Sequence, residues 1–218
     1  MEIGSVSFHV RMRNYGVTTN ASPKSDAIVC MPGAFGTAWG DFEYQLDGGL
    51  NPYTVVAIDP RGYGQSLING QKFGRDYPLD FYERDADDLS AVLRELGLHN
   101  AHIVGWSDGA HSAVILASKY PNLAKTLSIF GGSAWSTQQD RDGWDSMRNL
   151  DNWSARMRQH LLSSYDNDEE ITQRELNSNV DGYLNIVDKN FGDICLSHVH
   201  KIHCPTLILH GQKDPICA

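Results

Sequence analysis

Residues 101–117, AHIVGWSDGAHSAVILA, join a short apolar strand pattern, the motif Gly-x-Ser-x-Gly and an alanine-rich helix pattern. A serine acts as a nucleophile only when its hydroxyl stands clear of the backbone near a proton acceptor, and a tight strand-to-helix turn provides that exposure. Gly105 and Gly109 would keep side chains out of the space where strand and helix meet. The free N–H groups that begin the helix would face negative charge forming at Ser107. We therefore predict a nucleophile elbow at Ser107, with an ordinary glycine-rich turn as the alternative.

Strand patterns recur on both sides of this turn. One or two edge strands are expected in residues 3–19, a buried strand in residues 25–31, and further strands in residues 53–58, 123–130 and 204–210. Helix patterns of comparable length separate several of these strands. This alternation predicts an α/β fold with a mostly parallel sheet and helices on both faces.

One helix of this series carries its own start and stop signals. Asp80 and Glu83 have the spacing of a capping box, in which each side chain bonds the backbone N–H of the other residue. Apolar residues from Leu89 to Leu96 then recur at helical spacing, and Gly97 ends the pattern.

The strand pattern is interrupted once along the chain. We predict an N-terminal part of the core in residues 1–132, a helical lid insertion in residues 133–196 and a continuation of the core in residues 197–218. A helical insertion between two strands of an open α/β sheet would cover the strand ends. The tryptophans of the insertion are expected either in its core or along an apolar pocket, and they are Trp135, Trp144 and Trp153.

Two loops would join Ser107 at the carboxyl ends of the parallel strands, where sites form in such sheets. The Gly33-bearing loop after residues 25–31 would supply a second oxyanion N–H, with Ala34 as the first candidate and Phe35 as the second. Asp214 follows the last strand, where the chain order Ser, Asp, His requires an acid. Ordinary turns remain the alternative for both loops.

Composition narrows the class of protein. The chain has 218 residues, 41% hydrophobic and 21% charged, with a net charge of −9. That charge argues against nucleic acid or an anionic membrane as partner. We see neither a signal peptide nor a membrane span and expect a cytoplasmic protein, with a mitochondrial one as the alternative. The cysteines are scattered, which predicts neither a zinc site nor a disulfide framework, and they are Cys30, Cys195, Cys204 and Cys217.

Five stretches together resemble the α/β-hydrolase superfamily, and within it the hydrolases that act on esters of α-amino acids. These stretches are PGAFG at 32–36, DPRGYG at 59–64, FYERDA at 81–86, GWSDG at 105–109 and HGQKDP at 210–215. The resemblance covers roughly residues 26–215 in the same order. It implies ester hydrolysis with no metal and no cofactor, and a small-molecule ester as the partner.

The resemblance also implies roles for single residues. Ser107 would be the nucleophile and Asp214 the acid of a catalytic triad. The backbone N–H of Asp108 would be one oxyanion donor, and Ala34 or Phe35 would supply the other.

Two residues are implied in substrate binding, Asp108 and Trp106. The carboxylate of Asp108 would receive the substrate ammonium group through a charge-assisted hydrogen bond. The alternative is an acidic residue that is favoured simply by the helix N-terminus.

The catalytic histidine of the family lies beyond one further strand and before a closing helix, and this chain has no counterpart of either. The chain has 9 histidines. His111 lies one turn along the helix of Ser107 and cannot easily face it, and we expect His210 to pack at the end of its strand. We therefore expect a C-terminally truncated serine hydrolase of low activity, with an open sheet edge that favours self-association.

Other readings of the same residues stay open. A non-catalytic binding protein of the same fold is one alternative, and a hydrolase of carbon–carbon bonds is another. A dehalogenase or epoxide hydrolase is disfavoured, because these enzymes use an aspartate nucleophile where this chain has Ser107.

Overall fold

The computed structural model describes residues 1–13 and 26–214 of the chain. The strands in these ranges are β1 Glu2–Ile3, β2 Val6–Ser7, β3 Val10–Arg13, β4 Ile28–Met31, β5 Val55–Ile58, β6 Leu67–Ile68, β7 Ala101–Trp106, β8 Ala124–Phe130 and β9 Thr206–Leu209. The helices are α1 Ala38–Tyr44, α2 Phe81–Glu95, α3 Asp108–Lys119, α4 Gln138–Ser146, α5 Ala155–Ser164, α6 Glu169–Lys189 and α7 Leu196–Val199. Of the edge strands expected in residues 3–19, the part from residue 14 onward lies outside the described residues.

The main sheet has six strands in the order β3-β5-β4-β7-β8-β9. Only β3 is antiparallel to its neighbour, and the other strands run parallel. Helices cover both faces of the sheet. Because neighbouring residues of a strand point to opposite faces, each strand contributes side chains to both helix–sheet interfaces. Val29 and Ile103 belong to the core that includes α2 and α3, whereas Cys30 and Ala57 pack with Phe42 of α1. The predicted α/β fold class is therefore confirmed.

Helix α2 lies where the sequence predicts a helix, but the predicted capping box is wrong. Asp80 has φ −105° and ψ 22°, and its side chain makes no capping hydrogen bond. An N-cap residue normally has extended backbone, which turns its side chain toward the first N–H groups of the helix. A capping box forms instead at the start of α4, where Thr137 N–H donates to Asp140 (2.7 Å) and Asp140 N–H donates to the Thr137 hydroxyl (3.2 Å).

The chain between β8 and β9 is helical, in agreement with the sequence pattern, and contains α4 to α7. Val180 and Val187 lie on the buried face of α6. Trp144 of α4 is buried and stacks on Tyr183 of α6 at 4.6 Å between ring centroids, so it is a core residue. Trp135 is 46% exposed. The limits of the lid at residues 133 and 196 stay a prediction.

The thiols of the described residues are unpaired. Cys30, Cys195 and Cys204 are free, and Cys217 lies outside the described residues. Burial raises the pKa of Cys30 and Cys195 to about 12, so both thiols stay protonated near neutral pH. Across residues 1–13 and 26–214, no helix is long and apolar enough to cross a bilayer.

Strand β9 forms one edge of the main sheet. Its residues Leu207, Ile208 and Leu209 are 52%, 67% and 54% exposed. An apolar edge strand offers backbone N–H and C=O groups to a strand of another chain. We expect the chain to self-associate as its concentration rises, and Ile208→Lys to shift it toward monomer in sedimentation velocity.

The opposite edge of the same sheet provides the control for this experiment. Met12 on β3 is also exposed, so Met12→Lys adds the same charge at the other edge. This variant should associate like the unaltered chain. A monodisperse monomer with an ordinary melting temperature at every concentration would contradict the prediction.

Candidate active site

Ser107 lies at the turn from β7 into α3 in a strained backbone conformation. Its φ of 52° and ψ of −121° fall outside the regions that residues other than glycine normally occupy. Two hydrogen bonds fix this turn, from Ser107 N–H to the Phe130 carbonyl (3.0 Å) and from Ala110 N–H to the Ser107 carbonyl (2.8 Å). Strain of this kind at a half-exposed serine between a strand and a helix is the geometry of a nucleophile elbow.

Gly105 and Gly109 are required by close backbone approaches on either side of Ser107. A Cβ on Gly105 would come within 2.5 Å of the Gly109 carbonyl oxygen. A Cβ on Gly109 would overlap the carbonyl oxygens of Met31 and Pro32. Both contacts are with backbone, which cannot swing away as a side chain can. The steric reason predicted for the two glycines is therefore confirmed.

The loop after β4 lies directly beside the nucleophile. A Cβ on Gly33 would lie 3.1 Å from the Ser107 Cβ. Phe35 has a positive φ of 59°, and its buried ring packs near Tyr63 (6.0 Å) and Tyr165 of α5's C-terminal end (6.4 Å). The structure thus brings the predicted oxyanion loop to Ser107, while the roles of Ala34 and Phe35 as donors stay a prediction.

Asp108 is the first residue of α3, so its backbone N–H has no partner inside the helix. Its side chain is buried and accepts a hydrogen bond from the Tyr82 hydroxyl (2.9 Å). Burial raises the pKa of Asp108 to about 6, against the opposing effects of Tyr82 and of the Arg75 charge. The carboxylate is therefore mostly ionised at neutral pH.

Arg75 is the nearby buried cation, and it already has an acidic partner. Its guanidinium donates to Asp85 (2.6 Å) and to the Arg61 carbonyl (3.0 Å). The same group lies over the rings of Tyr63 and Tyr77 at 4.8 and 5.1 Å. Asp85 is therefore the ion-pair partner of Arg75, and no lysine or arginine among the described residues forms an ion pair with Asp108.

Sequence reasoning missed three buried polar residues next to Asp108. Tyr82 lies in the stretch FYERDA at 81–86, which was used only for the family resemblance, and Arg75 lies just before that stretch. Asn179 was not predicted to have a role. Asn179 on α6 donates to the Tyr63 hydroxyl at 3.4 Å, which ties the helical insertion to the core. No local pattern signals these contacts, because they join segments that are far apart in sequence.

His111 is buried one turn after Asp108 on α3. Its Nδ1 lies 3.9 Å from an Asp108 carboxylate oxygen, beyond hydrogen-bond distance. Burial lowers the pKa of His111 to about 4, with the Ser133 backbone opposing the shift, so the ring is neutral at pH 7. Apart from a weak contact with the Ser133 backbone, neither ring nitrogen has a hydrogen-bond partner among the described residues. His111 is therefore not positioned to act as a base for Ser107 in this structure.

Asp214 and Trp106 both lie near Gly131, at the carboxyl ends of the strands. An Asp214 carboxylate oxygen lies 3.9 Å from the place of a Cβ on Gly131, and the Trp106 indole nitrogen lies 3.3 Å from the same place. Trp106 is 38% exposed. The structure therefore places Asp214, the predicted acid, at the carboxyl ends of the strands, on the same side of the sheet as Ser107. The catalytic role of Asp214 stays a prediction.

All nine histidines fall within the described residues. His9 contacts Asp59 (2.9 Å), His102 contacts Thr126 (2.8 Å) and His198 contacts Ser118 (3.0 Å). The predicted packing of His210 is wrong, since this residue is exposed after an exposed strand. In the part of the chain that the structure describes, no three His, Cys, Asp or Glu side chains are grouped to hold a metal ion.

This combination of a parallel sheet, an elbow serine and a neighbouring glycine loop defines an α/β hydrolase. A family model described as "Alpha/beta hydrolase family" matches residues 28–218, and the chain belongs to that family. It is similar to the protein named "Serine hydrolase BPHL" of Homo sapiens, with 38% identity over 192 residues. That alignment covers 87% of this chain and 64% of the human protein, so the chain spans less than two thirds of the relative's length.

Further relatives and solved structures extend the comparison. A 2-hydroxy-6-oxononadienedioate/2-hydroxy-6-oxononatrienedioate hydrolase of Pseudomonas putida is 29% identical, over 84% of this chain and 68% of the relative. The structure of 2-hydroxy-6-oxo-6-phenylhexa-2,4-dienoate hydrolase from Rhodococcus sp. strain RHA1 matches with a TM-score of 0.68 and 18% identity. It covers 90% of this chain and 76% of that one, and at this identity it supports the fold alone.

Proposed function

We propose that the protein is a serine hydrolase that cleaves carboxylic esters, with esters of α-amino acids as the substrate class, through an acyl-enzyme on Ser107. The observation that carries this proposal is the strained elbow conformation of Ser107 beside the Gly33 loop. Similarity to a protein named as a serine hydrolase supports the same class of reaction.

In the proposed reaction, the Ser107 hydroxyl oxygen attacks the ester carbonyl carbon while a base takes its proton. No histidine among the described residues contacts Ser107, so added imidazole supplies this base in the labelling experiment below. The carbonyl oxygen becomes an oxyanion, which the N–H groups of Asp108 and of Ala34 or Phe35 would stabilise. Collapse of this intermediate expels the alcohol, which takes the proton from the base. Water then attacks the acyl-enzyme, releasing the acid and restoring the hydroxyl. Asp214 would orient the imidazole and stabilise its charged form.

The preference for an amino group rests on the Asp108 carboxylate. It is buried, its pKa is raised to about 6, and no lysine or arginine among the described residues forms an ion pair with it. A substrate ammonium next to the scissile ester would supply such a positive charge through a charge-assisted hydrogen bond. The Trp106 ring borders the same edge of the sheet and would contact the rest of the substrate.

Reaction with a fluorophosphonate probe tests the nucleophile and its base together. We expect the 218-residue chain to label barely at all, because within residues 1–13 and 26–214 no hydrogen bond joins a histidine to the Ser107 hydroxyl. Added imidazole should supply a base and raise the labelling rate about tenfold, less than the roughly 10²–10⁴-fold that a positioned general base contributes. Mass spectrometry of the labelled peptide locates the adduct.

Two serine variants complete the labelling experiment. Ser107→Ala should abolish the imidazole-dependent adduct, whereas Ser146→Ala, at the exposed end of α4, should leave it unchanged. Strong labelling without imidazole would refute the expected lack of a base. An adduct that persists in Ser107→Ala would refute the nucleophile.

Hydrolysis of a carbon–carbon bond in a dienoic acid is the second candidate, and the Pseudomonas putida relative is named as a hydrolase of a dienedioate. That substrate name denotes a dicarboxylate, and the Asp108 carboxylate would repel an anion placed beside it. A panel of amino acid esters and dienedioates, assayed with imidazole, distinguishes the two reactions. Activity on the dienedioates alone would favour the second candidate.

A further inference from the structure

Asp41, in the first turn of α1, reaches back to the loop that borders Ser107. Its carboxylate accepts a hydrogen bond from the Gly33 N–H at 3.0 Å. A Cβ on Gly36 would overlap this carboxylate, so glycine at position 36 leaves the space that Asp41 occupies. The carboxylate therefore fills the inside of the Pro32–Gly36 turn, which the Gly36 N–H closes by donating to the Gly33 carbonyl (3.0 Å).

We propose that Asp41 is a positioning residue for the oxyanion hole, whose ionised carboxylate holds the Gly33 N–H and thereby presents the Ala34 and Phe35 N–H groups to Ser107. This inference rests on the proposed function, because oxyanion donors act only in acyl transfer. The loop lies close to the nucleophile, since even a Cβ on Gly33 would lie only 3.1 Å from the Ser107 Cβ. A shift of the loop therefore changes the distance from the donors to the reacting oxygen.

The surroundings of Asp41 make its charge sensitive to pH. Burial and the nearby Asp59 charge raise its pKa to about 7, and the Gly33 hydrogen bond opposes this shift. Asp59 accepts hydrogen bonds from the N–H groups of Ala38 (2.7 Å) and Gln65 (2.9 Å) and contacts His9 (2.9 Å). His160 of α5 lies near the neighbouring Gly40, 3.5 Å from the place of a Cβ there.

A raised pKa fixes the sign of the stability effect. Folding disfavours the ionised form of Asp41, so the stability that its neutral form contributes is lost as pH rises from about 4 through about 7. Asp41→Asn keeps the shape without the charge and should not lower the melting temperature at pH 8. A residue that only supports the fold would lower stability and activity together.

The experiment follows the Gly33 amide by two-dimensional ¹H–¹⁵N NMR between pH 5 and 9. In the unaltered chain, the Gly33 proton shift should titrate with a midpoint near the pKa of Asp41, about 7. It should be flat in Asp41→Asn and unchanged in Glu43→Gln, an exposed carboxylate on the same helix. Histidine side chains ordinarily change charge in this pH range, so a nearby histidine has to be tested as the source of the titration. His9→Gln should leave the Gly33 titration in place, because Asp41 is its source.

A kinetic readout connects the loop to Ser107. The Ser107-dependent hydrolysis of a p-nitrophenyl ester at pH 8 with imidazole should fall about tenfold in kcat in Asp41→Asn, with KM within about twofold, because a misaligned donor weakens only the transition state. A Gly33 amide that does not titrate, or titrates alike in Asp41→Asn, overturns the positioning role. Absence of Ser107-dependent hydrolysis in every variant counts instead against the proposed function.

Discussion

Gly109→Ala is expected to destabilise the protein by about 3 kcal/mol and to remove the reactivity of Ser107 in the molecules that still fold. The added Cβ would overlap the Met31 and Pro32 carbonyl oxygens at the end of β4. Because these are backbone atoms, α3 must move away from the sheet to relieve the clash. The free energy of unfolding from urea titration measures the effect on stability, and fluorophosphonate labelling with imidazole measures the effect on the elbow.

Gly143 provides a matched control for this substitution. It lies inside helix α4, has no positive φ, and a Cβ there would meet nothing within 4 Å. Gly143→Ala should therefore leave stability unchanged or raise it by about 0.5–1 kcal/mol, as alanine favours helices. Equal unfolding free energies for the two variants would show that the close packing of strand and helix at Ser107 is not required.

The elbow and the sheet could be predicted because their signals are local. The apolar run before Gly105 and the helical pattern after Ser107 each lie within about ten residues of the motif, and both elements formed there. The steric demand for glycine at positions 105 and 109 follows from the same short stretch. The parallel arrangement then follows from the alternation of strands and helices.

The predictions that failed depended on details that local patterns do not contain. The spacing of Asp80 and Glu83 fits a capping box, but the backbone angles of Asp80 arise from the loop that delivers the chain to α2. His210 was expected to pack as a strand end normally does, yet β9 is exposed along its length. In both cases the sequence pattern was present, and the tertiary surroundings decided the outcome.

The charge environment of Asp108 also could not be predicted from the sequence. Asp108 could be predicted as a cation receptor only from resemblance, with a helix N-terminal preference as the alternative. The structure adds that Arg75 is balanced by Asp85, which neither spacing nor composition could show. An acidic residue with its own arginine would be a structural ion pair, whereas the arginine near Asp108 is paired with Asp85, which is compatible with the proposed binding of a substrate ammonium.

Asp108→Asn is expected to weaken binding of an α-amino acid amide about 100-fold, while an analogue without the amino group changes less than about threefold. A buried ammonium–carboxylate hydrogen bond supports a difference of this size, since each 1.4 kcal/mol is a factor of ten. The amide resists hydrolysis, so its dissociation constant can be measured by NMR titration without turnover. Asparagine keeps the backbone N–H of residue 108 and the size of the side chain, so the substitution isolates the charge.

The pH dependence of the same binding provides a second, independent readout. The pKa of Asp108 is raised to about 6, so its negative charge, and with it the affinity for an ammonium group, should fall as pH drops below about 6. This dependence should vanish in Asp108→Asn and persist in Asp142→Asn, which changes an exposed carboxylate of α4. The contrary result is that Asp108→Asn weakens binding of the analogue without the amino group as much as it weakens binding of the amino acid amide. Asp108 would then serve the N-terminus of α3 rather than the substrate, and the preference for amino acid esters would have to be abandoned.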